Sequence, residues 1–443
     1  TDGRLALGVR LPAERDLAQA LGLSRTTVTA AYRTLRESGH LTSRRGAGSW
    51  TALPGGHRVG TSGLWAPLED AAVIDLGCAA MPAPPELIGA VEAATADLPR
   101  YLAGAGYHPM GLDVLRETVA TEYTGRGLPT RPEQILITSG VQQALDLVIR
   151  LLVAPGQRVL METPTYPNAL TAVVSSRARV VGSALGDAGW DDDMLITTVR
   201  EARARLAYVI ADYHNPTGHL MGTPLRERLP AAAHSAGTDV VVDESFASLR
   251  LDGPALPPPV AAFDRAARVL TLGGLSKPYW GGLRIGWIRA ATSVTARLAA
   301  ARVAMDMSSP VLDQLVAVHL MAARDQIVAA RRAQLTARRD TLVAALRAHL
   351  PQWRFAVPNG GMSLWVELDA PVSSALAGAA DELDVRVAPG PRFGADGTME
   401  RFVRLPYTLP EADLVEAVRR LATARASLDR LPARVLRTPA IVA

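Results

Sequence analysis

Apolar residues recur with a strand-like and a helix-like spacing along most of the chain, from about residue 73 onward. Short apolar runs alternate there with longer stretches of helical periodicity. The pattern predicts strands at 134–138, 158–162, 207–211, 239–243, 269–272 and 283–288. Strands that alternate with helices are typical of a largely parallel sheet covered by helices. A long helix over about 310–350 and strands at 362–368 and 402–405 predict a smaller α+β domain after this sheet.

The first fifty residues instead show two short amphipathic helices. The predicted apolar positions are Leu17, Ala18 and Leu21 in the first helix, and Val28, Ala31, Tyr32 and Leu35 in the second. Gly22 and Leu23 supply the turn, and Ser24 is the expected N-cap of the second helix. Residues 41–50 have the pattern of a small hairpin. Together these elements predict a winged helix-turn-helix.

A segment rich in Pro and Gly separates the two patterns. We therefore predict a helix-turn-helix domain at 1–50, a linker at 51–72, a large α/β domain at 73–310, and a long helix with a small domain at 311–443. A flexible linker of about 20 residues spans on the order of 25 Å. The head can then lie near the body or move away from it.

The net charge of +4 comes entirely from the predicted head. Residues 1–50 carry eight Arg and four Asp or Glu, which leaves 39 basic and 39 acidic residues in the remainder. A basic head on a neutral body favours nucleic-acid binding. The single Cys78 excludes an internal disulfide, and the sequence shows no signal peptide, apolar run of membrane-spanning length or metal-binding motif. These features predict a cytoplasmic protein without membrane partners.

Lys277 is the only lysine in the chain, among 46 arginines. A guanidinium stays protonated, whereas a primary amine can lose its proton and attack a carbonyl to form a Schiff base. A lone lysine could also survive by chance in an arginine-rich sequence, so its surroundings decide its meaning. It lies in a Gly-rich turn between two apolar runs, directly after Ser276 and seven residues before Arg284.

Polar residues stand at the ends of the predicted strands, where open α/β sheets bind ligands. Gly140 and Val141 open a helix after a strand, so that free backbone N–H groups favour an anion. Asp243 ends an apolar strand, where a carboxylate is costly unless a partner such as a pyridinium N–H meets it. Tyr166 is suited to stacking on a flat ring, or is a surface tyrosine, and Asn215 is a ligand-binding amide or a turn residue.

In this order, the motifs resemble the fold type I aminotransferases, which bind pyridoxal phosphate. The resemblance covers roughly residues 73–425 and rests on Asn-Pro-Thr-Gly at 215–218, Asp-Glu at 243–244, and Ser-Lys at 276–277 followed by Arg284. It implies that Lys277 forms the Schiff base with the cofactor. It also implies that Asp243 keeps the ring nitrogen protonated, so that the ring withdraws electrons.

The same resemblance assigns roles to further residues. Asn215 would hydrogen-bond the ring O3′, and Tyr166 would stack on the ring. The residues that would hold the phosphate are Gly140, Val141, Gln142, Ser276 and Arg284. Arg404 matches the arginine that binds a substrate α-carboxylate. Tyr107 resembles the tyrosine that reaches the phosphate of the partner subunit, which implies a homodimer.

One position departs from that family. Its members usually carry a tyrosine two or three residues after the ring-binding aspartate, and this tyrosine donates to O3′. The present chain has Ser245 and Phe246 there. We therefore expect cofactor binding with less efficient transamination.

The head resembles the winged helix-turn-helix of the GntR regulators. By that resemblance, the residues that contact DNA are Arg15, Ser24, Arg25, Thr26 and Thr27 at the major groove, with Arg45 and Gly46 at the minor groove. The helix that opens this domain in the family is missing from the sequence, and Thr29 stands where some relatives place an arginine. We expect the head to pack less well without its first helix.

A GntR-like head joined to an aminotransferase-like body is the architecture of the MocR subfamily of bacterial regulators. The resemblance implies a transcription factor that binds double-stranded operator DNA and senses pyridoxal phosphate, an amino compound or a vitamin through its body. Two alternatives remain open at this point. The chain is either a working aminotransferase with a vestigial or regulatory head, or a scaffold that binds only DNA.

Overall fold

The structure of the protein is a computed structural model that describes residues 10–44, 48–51, 73–395 and 397–430. The head contains β1 (Arg10–Leu11), α1 (Glu14–Leu21), α2 (Arg25–Glu37), β2 (Leu41–Arg44) and β3 (Gly48–Thr51). Strand β3 pairs antiparallel with both β1 and β2. The helix-turn-helix and the wing strands thus agree with the prediction.

The two head helices pack around a small apolar core. Its buried residues are Ala18, Val28, Tyr32 and Leu41. The Tyr32 hydroxyl donates to the carbonyl of Pro12 at 2.8 Å, which joins α2 to the segment before α1. Leu21 and Leu35 were predicted on the apolar faces but are 49% and 38% exposed, because no described residue covers that side of the pair.

The body contains twelve strands and eleven α-helices within the described residues. The strands are β4 (Ile74–Leu76), β5 (Ile135–Thr138), β6 (Arg158–Thr163), β7 (Arg179–Gly186), β8 (Gly189–Trp190), β9 (Leu206–Val209), β10 (Asp239–Asp243), β11 (Val269–Gly274), β12 (Gly286–Arg289), β13 (Ser363–Glu367), β14 (Val385–Pro389) and β15 (Phe402–Pro406). The helices are α3 (Leu87–Asp97), α4 (Asp113–Gly125), α5 (Val141–Leu152), α6 (Pro167–Ser175), α7 (Asp192–Ala202), α8 (Thr223–Ala236), α9 (Thr292–Arg302), α10 (Val311–Ala322), α11 (Arg324–His349), α12 (Ser373–Asp381) and α13 (Glu411–Arg430). None of the described helices is both long and apolar enough to cross a lipid bilayer.

An eight-stranded sheet forms the large domain in the order β5-β12-β11-β10-β9-β6-β7-β8. Strands β11, β10, β9, β6 and β7 are parallel, whereas β12 runs antiparallel to both of its neighbours. The central parallel strands β9, β10 and β11 are almost entirely buried because helices cover both faces of the sheet. Their carboxyl ends therefore meet at one edge, which carries Asp243.

The structure differs from the predicted elements at several places, and strands β4, β8 and β14 were not predicted. The strand predicted at 283–288 begins only at Gly286, because 281–283 form a short 3-10 helix and Arg284 has a left-handed φ of 51°. The single helix predicted over 310–350 is two helices, since Ala323 leaves helical geometry at φ −92° and ψ 16°. Strand β7 was missed because only two of its eight residues are buried.

The small domain also differs from the predicted boundary. Its sheet has the order β13-β15-β14-β4, so the strand that follows the linker belongs to the small domain. The prediction placed 73–310 in the large domain. Strand β4 pairs parallel with β14, because Leu76 is fully buried in the apolar core of the small domain.

Candidate ligand site

Lys277 lies in the loop between β11 and β12, at the carboxyl edge of the large sheet. Its Nζ donates to the carbonyl of Ala79 at 2.8 Å, and lies 5.8 Å from the centre of the Phe246 ring. Burial lowers the pKa of Lys277, which favours the neutral, nucleophilic amine. Of the two residues that stand where the family has tyrosine, Phe246 is therefore the one that packs beside this amine.

Asp243 ends β10 and is held in place by two donors. The Tyr208 hydroxyl donates to its Oδ2 at 2.8 Å, and the Ser245 N–H donates to its Oδ1 at 2.9 Å. Burial, and then the charge of Asp243, raise the pKa of Tyr208 well above its usual value, so the phenol remains a donor. Tyr208 was not predicted as a site residue from the sequence. Its signal is a phenol within a fully buried strand, which requires a hydrogen-bond partner.

Tyr166 stands directly before α6, half-buried at the same edge. Its hydroxyl accepts a hydrogen bond from Asn168 Nδ2 at 2.9 Å. Burial and the nearby charge of Asp243 both raise the pKa of Tyr166. Tyr166 and Asp243, which were predicted to contact the same cofactor ring, therefore interact electrostatically.

Arg404, in the small-domain strand β15, is a buried cation without a carboxylate partner among the described residues. It donates to Asn215 Oδ1 at 3.4 Å and to the carbonyl of Gly77, and its guanidinium carbon lies 5.2 Å from the centre of the Phe393 ring. Its Nε is buried without an acceptor. Burial lowers the pKa of Arg404 to about 10. A ligand carboxylate would neutralise this cation and accept its remaining N–H group.

A cradle for an anion forms where β5 meets α5. Gly140 caps the helix at a φ of 92°, and Val141 opens it. Arg284 Nη2 donates to the carbonyl of Ser139 at 2.8 Å, which brings a permanent cation to the helix N-terminus. A Cβ on Gly140 would lie 2.6 Å from Arg284 Nη2. Only glycine therefore combines this backbone conformation with the approach of the guanidinium.

Substitution of Gly140 by alanine is expected to weaken the binding of pyridoxal phosphate. Gly156 offers a matched control, since its φ is 83° and a Cβ there would meet no atom within 4 Å. Both variants should lose roughly 1 to 3 kcal/mol of unfolding free energy because an L residue is strained at a positive φ, and G140A should lose more because its Cβ also meets Arg284. Only G140A should lose cofactor affinity, measured by equilibrium dialysis. Equal affinity for pyridoxal phosphate in the Gly140 and Gly156 variants would contradict an anion site at Gly140.

The remaining predicted site residues are less well fixed. Gln142 Nε2 donates to the carbonyl of Asn168 at 3.3 Å, and its buried Oε1 has no partner among the described residues. Ser276 is half-buried beside Lys277. Tyr107 is 60% exposed, and no described hydrogen bond or ion pair links it to the other site residues.

The head places its predicted DNA-binding residues at one end of α2. Ser24 Oγ accepts a hydrogen bond from the Thr27 N–H at 3.1 Å, as an N-cap should. Arg25 and Thr26 begin the helix and are exposed, and Arg15 is exposed on α1. Arg45 and Gly46 lie outside the described residues. Thr29, which stands where some relatives were expected to place an arginine, donates to Glu14 at 2.8 Å inside the head.

The residues at the sheet edge fit pyridoxal phosphate by their own chemistry. They include a primary amine with a lowered pKa, a buried carboxylate with fixed donors, an aromatic ring, and a helix N-terminus with a cation. The buried Arg404 Nε and Gln142 Oε1 are orphaned polar atoms that a ligand could satisfy. These groups could hold the ring, the phosphate and a carboxylate at one place.

Comparison with known proteins agrees with both units of the chain. The description "Bacterial regulatory proteins, gntR family" matches residues 1–50, and "Aminotransferase class I and II" matches residues 88–421. The HTH-type transcriptional regulator TauR of Rhodobacter capsulatus is 28% identical over an alignment of 457 positions, gaps included. The alignment covers 95% of this chain and 93% of TauR. The probable rhizopine catabolism regulatory protein MocR of Rhizobium meliloti is 30% identical over 311 residues, which cover 65% of this chain and 62% of MocR.

A solved structure of an enzyme is similar to the body. LysN, the α-aminoadipate aminotransferase of Thermus thermophilus in complex with N-(5′-phosphopyridoxyl)-L-leucine, is 32% identical with a TM-score of 0.74. The match covers 82% of this chain and 94% of the LysN chain. The fold type I prediction for the body is thereby confirmed.

Proposed function

Because the chain belongs to the aminotransferase class I and II family and is a MocR-type regulator of the GntR family, we propose that its body senses a carboxylated amino compound. The head binds DNA as a helix-turn-helix, and pyridoxal phosphate is the cofactor of the body. The sensed compound reacts at the cofactor and is held there by its carboxylate. Its binding changes how the heads engage an operator.

The observation that carries this proposal is the unneutralised Arg404 beside Asn215. A buried guanidinium without a carboxylate is costly, and a carboxylated ligand offsets that cost. Lys277 and Arg404 also donate to backbone carbonyls only two residues apart, those of Ala79 and Gly77. An amine site and a carboxylate site thus lie close enough for one amino acid.

The residues of the chain divide the work at this site. Pyridoxal phosphate, when bound, supplies an aldehyde that combines with primary amines and a ring that withdraws electrons. Asp243, held by Tyr208, would keep a ring N–H by accepting its hydrogen bond. Lys277 would hold and release a proton at Nζ, and Phe246 excludes water beside it without offering a donor.

The hydrogen bond that Phe246 lacks leads to a testable difference. The variant F246Y is expected to speed the conversion of bound pyridoxal phosphate to pyridoxamine phosphate by amino acids. One neutral hydrogen bond contributes about 1 kcal/mol, which corresponds to about fivefold in rate. Single-turnover absorbance measures the rate. A variant no faster than the natural protein would show that the missing hydroxyl does not limit this reaction.

A direct test of the sensor is operator binding by the full chain. Fluorescence anisotropy with the intergenic DNA beside the gene should give a Kd that changes when pyridoxal phosphate and an effective amino acid are both present. An effector can switch the protein only if it binds the two arrangements with different affinity. Equal Kd values under every condition would contradict sensing, although the head would still bind DNA.

A second candidate function is a working aminotransferase. Lys277, Asp243 and Asn215 at the sheet edge and Arg404 of the small domain are all present, and LysN is an enzyme with a similar body. This alternative predicts sustained turnover between an amino acid and a keto acid. The sensor predicts at most a single half-reaction.

We also propose that the protein works as a homodimer in the cytoplasm. Tyr107, Val303 and Met307 are 60%, 52% and 41% exposed, and a contiguous exposed apolar patch marks an interaction surface. Arg302 donates to the carbonyl of Pro109 at 3.5 Å, so the segments that carry these residues lie side by side. Light scattering of the purified protein should give twice the chain mass.

A further inference from the structure

A chain of hydrogen bonds connects the surface loop after α9 to the N-terminal end of α5, where the cradle for an anion lies. Asp306, in that loop, accepts a hydrogen bond from Gln143 Nε2. Gln143 Oε1 accepts from the Ser139 N–H at 2.6 Å. The carbonyl of Ser139 accepts from Arg284 Nη2 at 2.8 Å. The chain therefore ends at the cation that stands beside the helix N-terminus.

Asp306 is fixed by Arg302, the last residue of α9. Arg302 Nε donates to Asp306 Oδ1 at 2.7 Å. The guanidinium of Arg302 is fully buried, and it also donates to the carbonyl of Ile137 in β5 and to Ser309 Oγ. The planar guanidinium gives these hydrogen bonds a fixed geometry. Asp306 is therefore an anchored acceptor, although it lies in a surface loop.

Gln143 could also serve only as a cap of its own helix. It is the third residue of α5, and a Gln at this position often accepts from a backbone N–H at the start of the helix. A cap of this kind uses only the carbonyl oxygen of the amide. In this chain the amide nitrogen also donates to Asp306, so that both ends of the Gln143 amide are fixed.

The position of Ser139 matters because Arg284 depends on it. Arg284 is exposed, and within the described residues the Ser139 carbonyl is the one acceptor of its guanidinium. A long side chain that becomes ordered only when a ligand binds lowers the affinity for that ligand. A fixed Ser139 therefore places the guanidinium before the phosphate arrives.

We propose that Gln143 and Asp306 are positioning residues for the phosphate of the cofactor. Asp306 orients the amide of Gln143, and this amide holds Ser139. Ser139 in turn holds Arg284 beside the first N–H groups of α5, which have no partner within the helix. This role acts on the phosphate alone, because the ring and the aldehyde of the cofactor are met by other residues.

The test compares pyridoxal phosphate with pyridoxal, which is the same aldehyde without the phosphate. The variant Q143M replaces the amide by an apolar side chain of similar length. Its Kd for pyridoxal phosphate, followed by the cofactor absorbance of the full chain, should rise about fivefold, the effect of one neutral hydrogen bond. Its Kd for pyridoxal should equal that of the natural protein.

Gln157 provides the matched control at the opposite end of α5. Its Oε1 accepts from the Ala154 N–H at 2.9 Å, so Q157M also removes an amide that binds a backbone N–H. Q157M should keep the natural Kd for both aldehydes. Thermal unfolding of the cofactor-free variants shows whether Q143M and Q157M lose comparable stability.

Asp306 is tested in two backgrounds. Removal of its negative charge would by itself favour an anion nearby, whereas the proposed role predicts that D306A weakens the binding of pyridoxal phosphate. Because Asp306 acts through Gln143, D306A should cause no further loss in Q143M. An unchanged Kd in Q143M, equal losses for pyridoxal phosphate and pyridoxal, equal losses in Q157M, or additive losses in the double variant would overturn the proposal.

Discussion

Replacement of Lys277 by arginine is expected to abolish the visible absorbance of the Schiff base with pyridoxal phosphate and the response of operator binding to amino acids. Arginine keeps the positive charge and can still donate to the carbonyl of Ala79, but its guanidinium does not lose the proton that a nucleophile must lose. The head should bind DNA as before in the absence of cofactor. Absorbance spectra and anisotropy titrations of K277R and the natural protein measure both effects.

Because Lys277 is the only lysine in the sequence, this prediction can be tested at a single residue. Borohydride reduction followed by peptide mass analysis has one lysine side chain to modify in the whole sequence. We expect the pyridoxyl mass on the peptide that contains Lys277 and on no peptide of K277R. Persistence of the absorbance in K277R would overturn the central assignment.

Replacement of Arg404 by methionine should weaken carboxylated effectors selectively. A hydrogen bond to a charged group contributes about 1.5 to 3 kcal/mol, which corresponds to a loss of roughly one to two orders of magnitude in affinity. Methionine has a similar length, and an apolar side chain is tolerated where a buried ion was held. The Kd of β-alanine, followed by the cofactor spectrum, should rise accordingly.

Ethylamine is the matched ligand for this test, because it is β-alanine without the carboxylate. Its apparent Kd should be the same in R404M and in the natural protein. Similar losses for both ligands would show that the substitution damages the amine site and that Arg404 does not act on the carboxylate.

Much of the fold was accessible from the sequence, because most of the parallel strands are continuous apolar runs between helices. The prediction of Asp243 at a strand end needed only that run and one acid. The contact between Asn215 and Arg404 joins residues 189 positions apart, and no local pattern contains it. Only the resemblance to a family brought these two residues to one site.

Other features lay beyond local reasoning for a similar reason. Tyr208 belongs to an apolar strand, and its bond to Asp243 depends on the register between β9 and β10. Arg126 looks like a surface residue after α4, yet its partner is Glu244, 118 positions away. Such pairs are set by tertiary packing, which the short-range periodicity of a sequence does not predict.

Strand β4 carries a consequence for how the two units communicate. Directly after that strand, the carbonyl of Gly77 accepts from Arg404 and the carbonyl of Ala79 accepts from Lys277. Any compound that binds Lys277 and Arg404 competes with the backbone of this segment, which directly follows the predicted linker of the head. The segment that follows the linker of the DNA-binding head and the ligand therefore use the same two hydrogen-bond donors, Arg404 and Lys277.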